Sequence, residues 1–336
     1  MQSPAGESRP SPPPVPRGDG SGSRRAFERL LQKRVKRFVA LVPVVLAGEE
    51  PDAVHDVRVA SRRVQQAISA VFPKPRSGTV QELRRMPRRV RRAVGEWRNC
   101  DVLLDLVARR QRRVRREAKR QAWGLVRAYL VEKRRAEIVR ARKKLLRQDP
   151  ASYADRAHRL LAHPLAPVDD RLAERLCESV REAWTEWDAA LARAGDTRAV
   201  ADLHAFRVAT KALRYRTELL HEAGFERMKA PLAWLEHLQD ALGTWHDRQI
   251  LRLAVAEAVG RGDVLLNALP SARVLLAELD AERRRPAADV DRILRLAREH
   301  PGRAHMERWS QTHSADAPDA PPAVAGDGTR RDEVSA

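Results

Sequence analysis

The feature that most constrains this chain is an internal repeat. Residues 55–62 read HDVRVASR and residues 204–211 read HAFRVATK, with four positions identical at an offset of 149. A second match follows at an offset of 148, GEWRN at 95–99 against GTWHD at 243–247. The same two elements recur in the same order, about 40 residues apart in each half. Such a register marks a duplicated structural unit. The two units are read as residues 25–160 and 170–310, with LAHPLAPVDD at 161–170 as the joint.

Each unit reads as helix. Long windows rich in Arg, Ala, Leu and Glu place apolar residues three and four apart, and strand-type alternation is scarce. Weak breaks near residues 48–51, 73–78, 150, 164–167, 195, 224, 243, 260–262 and 270 suggest roughly eight to ten helices. Residues 103–148 carry no strong breaker, so they form one very long helix or two with an unmarked junction. The expected class is all-α, an antiparallel bundle built from two similar helical subdomains facing a shared basic groove or cavity. Residues 1–23 and 311–336 are rich in Pro, Gly, Ser and small polar residues and read as disordered tails.

Helical geometry sorts the repeated segment into faces. Positions three, seven and ten apart share a stripe at about 100° per residue. His55, Arg58 and Arg62 therefore lie together, and His204, Arg207, Lys211 and Arg214 form the longer version in the second copy. Opposite them lie Val57, Ala60, Val64, Ala67, Ile68 and Val71, and in the second helix Phe206, Ala209, Leu213 and Leu220. Each helix thus offers an apolar face to a core and a cationic face away from it. Glu218, four residues after Arg214, is placed to pair with it.

Charge agrees with that placement. The 336 residues carry 65 Lys and Arg against 45 Asp and Glu, a formal charge of +20, and 56 of the basic residues are Arg. A potential of that sign concentrates polyanions and speeds their encounter. Residues 84–120 alone hold 15 basic residues against four acidic ones, a local balance of +11. Arg88, Arg91 and Arg98 from this stretch are secondary binding candidates. Trp97 and Trp245 recur in the second motif and read as core packing between units. His246 follows Trp245, and Tyr215 lies near the angle of His204, where its hydroxyl edges the cationic face.

Several classes are disfavoured. Two cysteines, Cys100 and Cys177, cannot form a disulfide framework and suit a reducing compartment. The longest apolar run, LVPVVLA, is far too short to span a membrane, and the first 20 residues, with six Pro, lack a secretory apolar core. No HExxH or Cys/His ligand set is present, so neither a metal nor another cofactor is expected. For His55 and His204 three roles stay open: hydrogen bonding to an anion, bracing the Arg array, and acid–base catalysis. For the last, no Asp/His/Ser or Cys/His arrangement can be traced around these histidines, and their recurrent neighbours are donors rather than a nucleophile.

At these residues the chain resembles the CHAD family, the conserved histidine α-helical domain. The first signature is His55, Arg58, Arg62 and Arg63; the second is His204, Arg207, Lys211, Arg214, Tyr215 and Glu218. VGEWRNCDVLL at 94–104 and LQDALGTWHD at 238–247 resemble the later turn elements, and the likeness covers residues 24–310. Gln65 stands where the family pattern leads to Arg, and Asn99 where it leads to Asp. The resemblance implies a basic groove or cavity that binds inorganic polyphosphate without catalysis, in a cytoplasmic protein associated with polyphosphate granules and with a granule protein as partner. The polyphosphate contacts it implies are His55, Arg58, Arg62, Arg63, His204, Arg207, Lys211 and Arg214. Some members follow a CYTH triphosphatase domain, but no ExExK motif stands in this chain. General nucleic-acid binding and phosphohydrolysis are the alternatives, and the second lacks the metal carboxylates or nucleophile it needs.

Overall fold

The computed structural model describes residues 20–313, apart from 49, 51, 73–76, 163–171 and 284–285. Among these residues there are thirteen helices and no strand. The first half supplies α1 (Gly20–Ala47), α2 (Ala53–Val71), α3 (Gly78–Ala93), α4 (Gly95–Arg113), α5 (Glu117–Leu145) and α6 (Pro150–Ala162). The second supplies α7 (Leu172–Thr197), α8 (Val200–Glu222), α9 (Lys229–Val259), α10 (Gly262–Asn267), α11 (Leu269–Arg283), α12 (Pro286–Glu299) and α13 (Pro301–Thr312). Most of the joint, and the tails at 1–19 and 314–336, lie outside the described residues. Residues 20–23 belong to α1, and residues 311–312 to α13, rather than to a tail.

The repeat is visible as matched elements. The first motif forms the start of α2 and of α8, and these two helices pack against each other. The second motif opens α4 in the first half but lies inside the 31-residue α9 in the second. Gly243 therefore does not interrupt a helix. Leu235, Leu238, Leu242 and Trp245 continue one buried face across it, and that burial outweighs the roughly 1 kcal/mol that an interior Gly costs. Gly195 likewise lies within α7. The long unbroken stretch resolves as two helices, α4 and α5, separated by the extended residues Val114 and Arg116.

Two apolar cores hold the bundle, and each draws on both halves. The larger joins Phe38, Val64 and Leu83 from the first half to Trp187, Phe206 and Leu238 from the second. At its centre Trp187 stacks on Trp184 at 5.0 Å and meets Trp234 edge-on at 5.2 Å. The smaller core unites Leu103, Val107, Trp123 and Leu130 with Leu251, Val255 and Leu275. The halves are thus one cooperative structure, since neither buries its apolar stripe alone. Val57, Ala60, Val64, Ala67, Ile68, Phe206, Leu213 and Leu220 are all buried, as the helical phase requires, and Ala209 is partly buried. The side chain of Val71 lies outside the described residues. Gly224, at φ +81°, turns the chain after α8 in a conformation that an L side chain resists.

Candidate anion-binding site

With their apolar sides locked in the core, α2 and α8 turn their cationic stripes toward a common site. Arg58 and Arg62 on α2, and Arg207 and Lys211 on α8, are half-buried rather than splayed into solvent. Arg62 is the shared neighbour, since its charge bears on Arg58, Arg91, Arg207 and Lys211. Arg91 enters from α3, Arg98 from the first turn of α4, and His246 and Asp247 from α9. Six basic side chains from two sequence repeats converge here, and Asp247 is a carboxylate among them.

The electrostatics record what that convergence costs. Burial, then Arg207, Arg62 and Arg58, drive the Lys211 ammonium down to about 6. Burial and like charge lower Arg58 and Arg91 to about 10, which still leaves both guanidinium groups charged near neutral pH. His246 is lowered to about 4 by burial, then Arg207, His204 and Lys211. His55 and His204 stand at the exposed rim and are also lowered, by desolvation first and then by Arg98 and Arg207 respectively. Burial raises the Asp247 carboxyl in spite of Arg207, Lys211 and Arg98 beside it. An array of donors this short of acceptors has the electrostatic character that suits an anion.

The supporting contacts are specific. An Arg58 Nη donates to the Arg91 carbonyl at 3.2 Å, one of the last-turn carbonyls of α3 that lack a helical partner. An Arg91 Nη donates to Gln65 Oε1 at 2.8 Å. The imidazoles of His204 and His246 lie 5.5 Å apart. In the first half the equivalent pair is His55 and Arg98, so each rim histidine faces the fourth residue of the second motif.

Not every sequence candidate joins the array. Arg63, one residue from the hub, pairs with Glu218, and its carbonyl accepts from Arg34 at 3.2 Å. Arg34 in turn bonds Glu222 at 2.9 Å. The charge of Arg63 is therefore already answered, and its role is to tie α2 to α8. The expected Arg214–Glu218 pair is absent, because Arg214 bonds Glu236 on α9 at 3.0 Å. Arg88 is exposed and acts on Arg91 from the rim. Tyr215 is buried, close enough to Arg91 to influence it. Trp97 and Trp245 are both 4% exposed and serve as packing. Sequence reasoning missed Asp247 as a member of the site; the signal was its place beside His246 in the repeated motif.

Comparison with known proteins settles the lineage. The CHAD domain family model matches residues 29–256, more than half of the chain. The chain belongs to the CHAD domain family. Its fold is similar to the crystal structure of the CHAD domain from the plant Ricinus communis, at a TM-score of 0.59 and 21% identity, covering 83% of this chain and 92% of that one. PptA from Streptomyces chartreusis is similar at a TM-score of 0.57 and 17% identity, covering 82% of this chain and 98% of that one. No curated protein matches the sequence. Among the described residues of this CHAD protein, no helix is long and apolar enough to cross a membrane, and no group of three or more His, Cys, Asp or Glu is placed to hold a metal ion.

Proposed function

We propose that this CHAD protein binds inorganic polyphosphate without transforming it. The observation that carries the reading is the convergence of Arg58, Arg62, Arg91, Arg98, Arg207 and Lys211 on one half-buried site. Guanidinium forks bind adjacent phosphate oxygens bidentately, and Lys and His add point contacts. A flexible phosphate polymer meets many such donors at once and gains affinity by multivalency. The cations stand on helices that pack against each other, and packed helices generally have axes roughly 8–10 Å apart. A single phosphate chain suits that spacing better than a duplex whose major groove alone is about 12 Å wide.

Several features support a binding role over a hydrolytic one. Apart from Asp247 the charged groups around the site are donors, and Asp247 is matched in the other half by Asn99, whose amide donates to Glu96 at 3.1 Å. Both thiols are held protonated by burial, Cys100 at about 11 and Cys177 at about 12. Association with polyphosphate granules in the cytoplasm, with a granule protein as partner, belongs to the same proposal.

Titration of long-chain polyphosphate, DNA and RNA of matched charge at physiological salt tests the reading. Polyphosphate is expected to bind most tightly, with affinity falling as salt rises. Equal affinity for all three removes the selectivity claim. Sustained phosphate release in the presence of divalent ions overturns the non-catalytic one.

A further inference from the structure

Beside the α2–α8 site lies a second basic concavity that the repeated motifs do not explain. It is a cleft of about 560 Å³ formed where the C-terminal end of α4 and the start of α5 meet α9, α11 and the first turn of α12. That volume falls in the range of sites that hold discrete ligands. Five cations line it: Arg110, Arg113, Lys119, Arg248 and Arg252. The two carboxylates in its wall, Glu278 and Asp289, are already engaged by Lys119 and Arg248 respectively. Among the lining residues basic side chains outnumber acidic ones five to two.

Two helices, α4 and α9, contribute residues both to the cleft and to the first site. On α9, His246 and Asp247 serve the first site, while Trp245, Arg248, Gln249 and Arg252 occupy one adjoining face and line the cleft. Arg252 lies six residues beyond His246, about 9 Å along the helix axis. On α4, Arg98 serves the first site, and Arg110 lies about 18 Å further along the same helix. Trp245 stands between the two, with its ring 6.5 Å from His246 and its flank in the cleft wall. The cations of the cleft are held in place. Arg110 sits 4.9 Å over the Trp123 ring, and Arg252 reaches Gln249 Oε1 at 3.4 Å.

We infer that this cleft is a second phosphate subsite, which takes the segment of a long polyphosphate chain that extends past the α2–α8 site. The inference rests on the proposed function and adds a length dependence to it. A short oligophosphate neutralises the first site alone. A long chain reaches both, and the second contact is made at the high effective concentration set by the first.

Tripolyphosphate and long-chain polyphosphate are titrated separately into the full-length protein, into the cleft variant Arg113→Ala/Arg252→Ala, and into the first-site variant Arg62→Ala/Arg207→Ala. The cleft variant removes neither of the ion pairs in the cleft wall. It is expected to bind tripolyphosphate like the parent and long-chain polyphosphate roughly tenfold more weakly or worse. The first-site variant is expected to weaken for both. If the cleft variant binds the long chain as tightly as the parent, or loses tripolyphosphate to the same extent, the subsite is refuted while the proposed function stands. If the first-site variant binds both ligands like the parent, the proposed function fails instead. Single-stranded DNA as a third probe, bound more tightly than polyphosphate in a manner that the cleft variant abolishes, would also refute the assignment.

Discussion

An Arg91 Nη donates to Gln65 Oε1 at 2.8 Å, so the side chain that departs from the family pattern on α2 orients a guanidinium supplied by α3. In the second half the order is reversed, with Arg214 at the position matching Gln65 and Gln239 at the position matching Arg91. Each half thus keeps one Arg and one Gln across the same helix pair. The contact itself is not mirrored, since Arg214 bonds Glu236 instead at 3.0 Å.

This relationship yields the first prediction. Gln65→Glu places a carboxylate against Arg91 and relieves repulsion in the free protein. The variant should melt about 2 °C higher, as about 1 kcal/mol implies for a chain of this size, and bind polyphosphate at least tenfold more weakly. Thermal melts and titrations on one preparation check both signs. A variant that is stabilised without loss of affinity contradicts the assigned role of Arg91.

Arg62 and Arg63 are adjacent in sequence yet face different partners, and they provide an internal control. Arg62→Ala removes the hub and should weaken polyphosphate binding by about tenfold, the equivalent of about 1.4 kcal/mol. Arg63→Ala should leave affinity within about twofold, because Glu218 already answers that charge. It should instead lower stability by about 2 kcal/mol, since the mostly buried Glu218 is left without its partner. Denaturant melts read the second effect.

Lys211 gives the site a proton linkage. Its folded value of about 6 lies well below that of a lysine in an unfolded chain. Between those two values the unfolded state binds more protons, so stability contributed by this group rises with pH across that window and levels off below about pH 6. His246, at about 4, acts in the same direction between about pH 4 and 6.5. A bound polyanion favours the charged ammonium, so binding near pH 7 should take up a proton. Calorimetric titrations in buffers of different ionisation enthalpy measure that uptake, and Lys211→Met should reduce it.

Leu213 lies fully buried on the apolar side of α8, beside the half-buried Arg214. Leu213→Asp buries an unpaired carboxylate between α8 and its neighbours and should cost several kcal/mol, enough to prevent stable folding. Circular dichroism and a melt distinguish this global loss from the local effect of Arg62→Ala.

Much of this was legible in the sequence, for identifiable reasons. The helical phase of α2 and α8 follows from 3.6-residue periodicity, so Val64 and Leu213 fall in the core and Arg58, Arg62, Arg207 and Lys211 on the opposite side. What the sequence leaves open is which partner each long side chain selects. The expected Arg214–Glu218 pair does not form, because i to i+4 proximity on one helix competes with tertiary pairing, and here α2 supplies Arg63 to Glu218 while α9 supplies Glu236 to Arg214. The behaviour of Gly243 was equally out of reach. Local propensity suggests a break, whereas α9 runs unbroken through it with Leu242 and Trp245 buried on either side. Asp247 was passed over because its neighbours in the chain say nothing of Arg207 and Lys211, which come to it from another helix.

The most direct test of the central claim is a structure of the protein with medium-length polyphosphate bound. Phosphate density should run between α2 and α8, with oxygens about 2.7–2.9 Å from guanidinium nitrogens of Arg62 and Arg207 at once. Density confined to the outer surface of residues 84–92, with none between the two repeated helices, would contradict it.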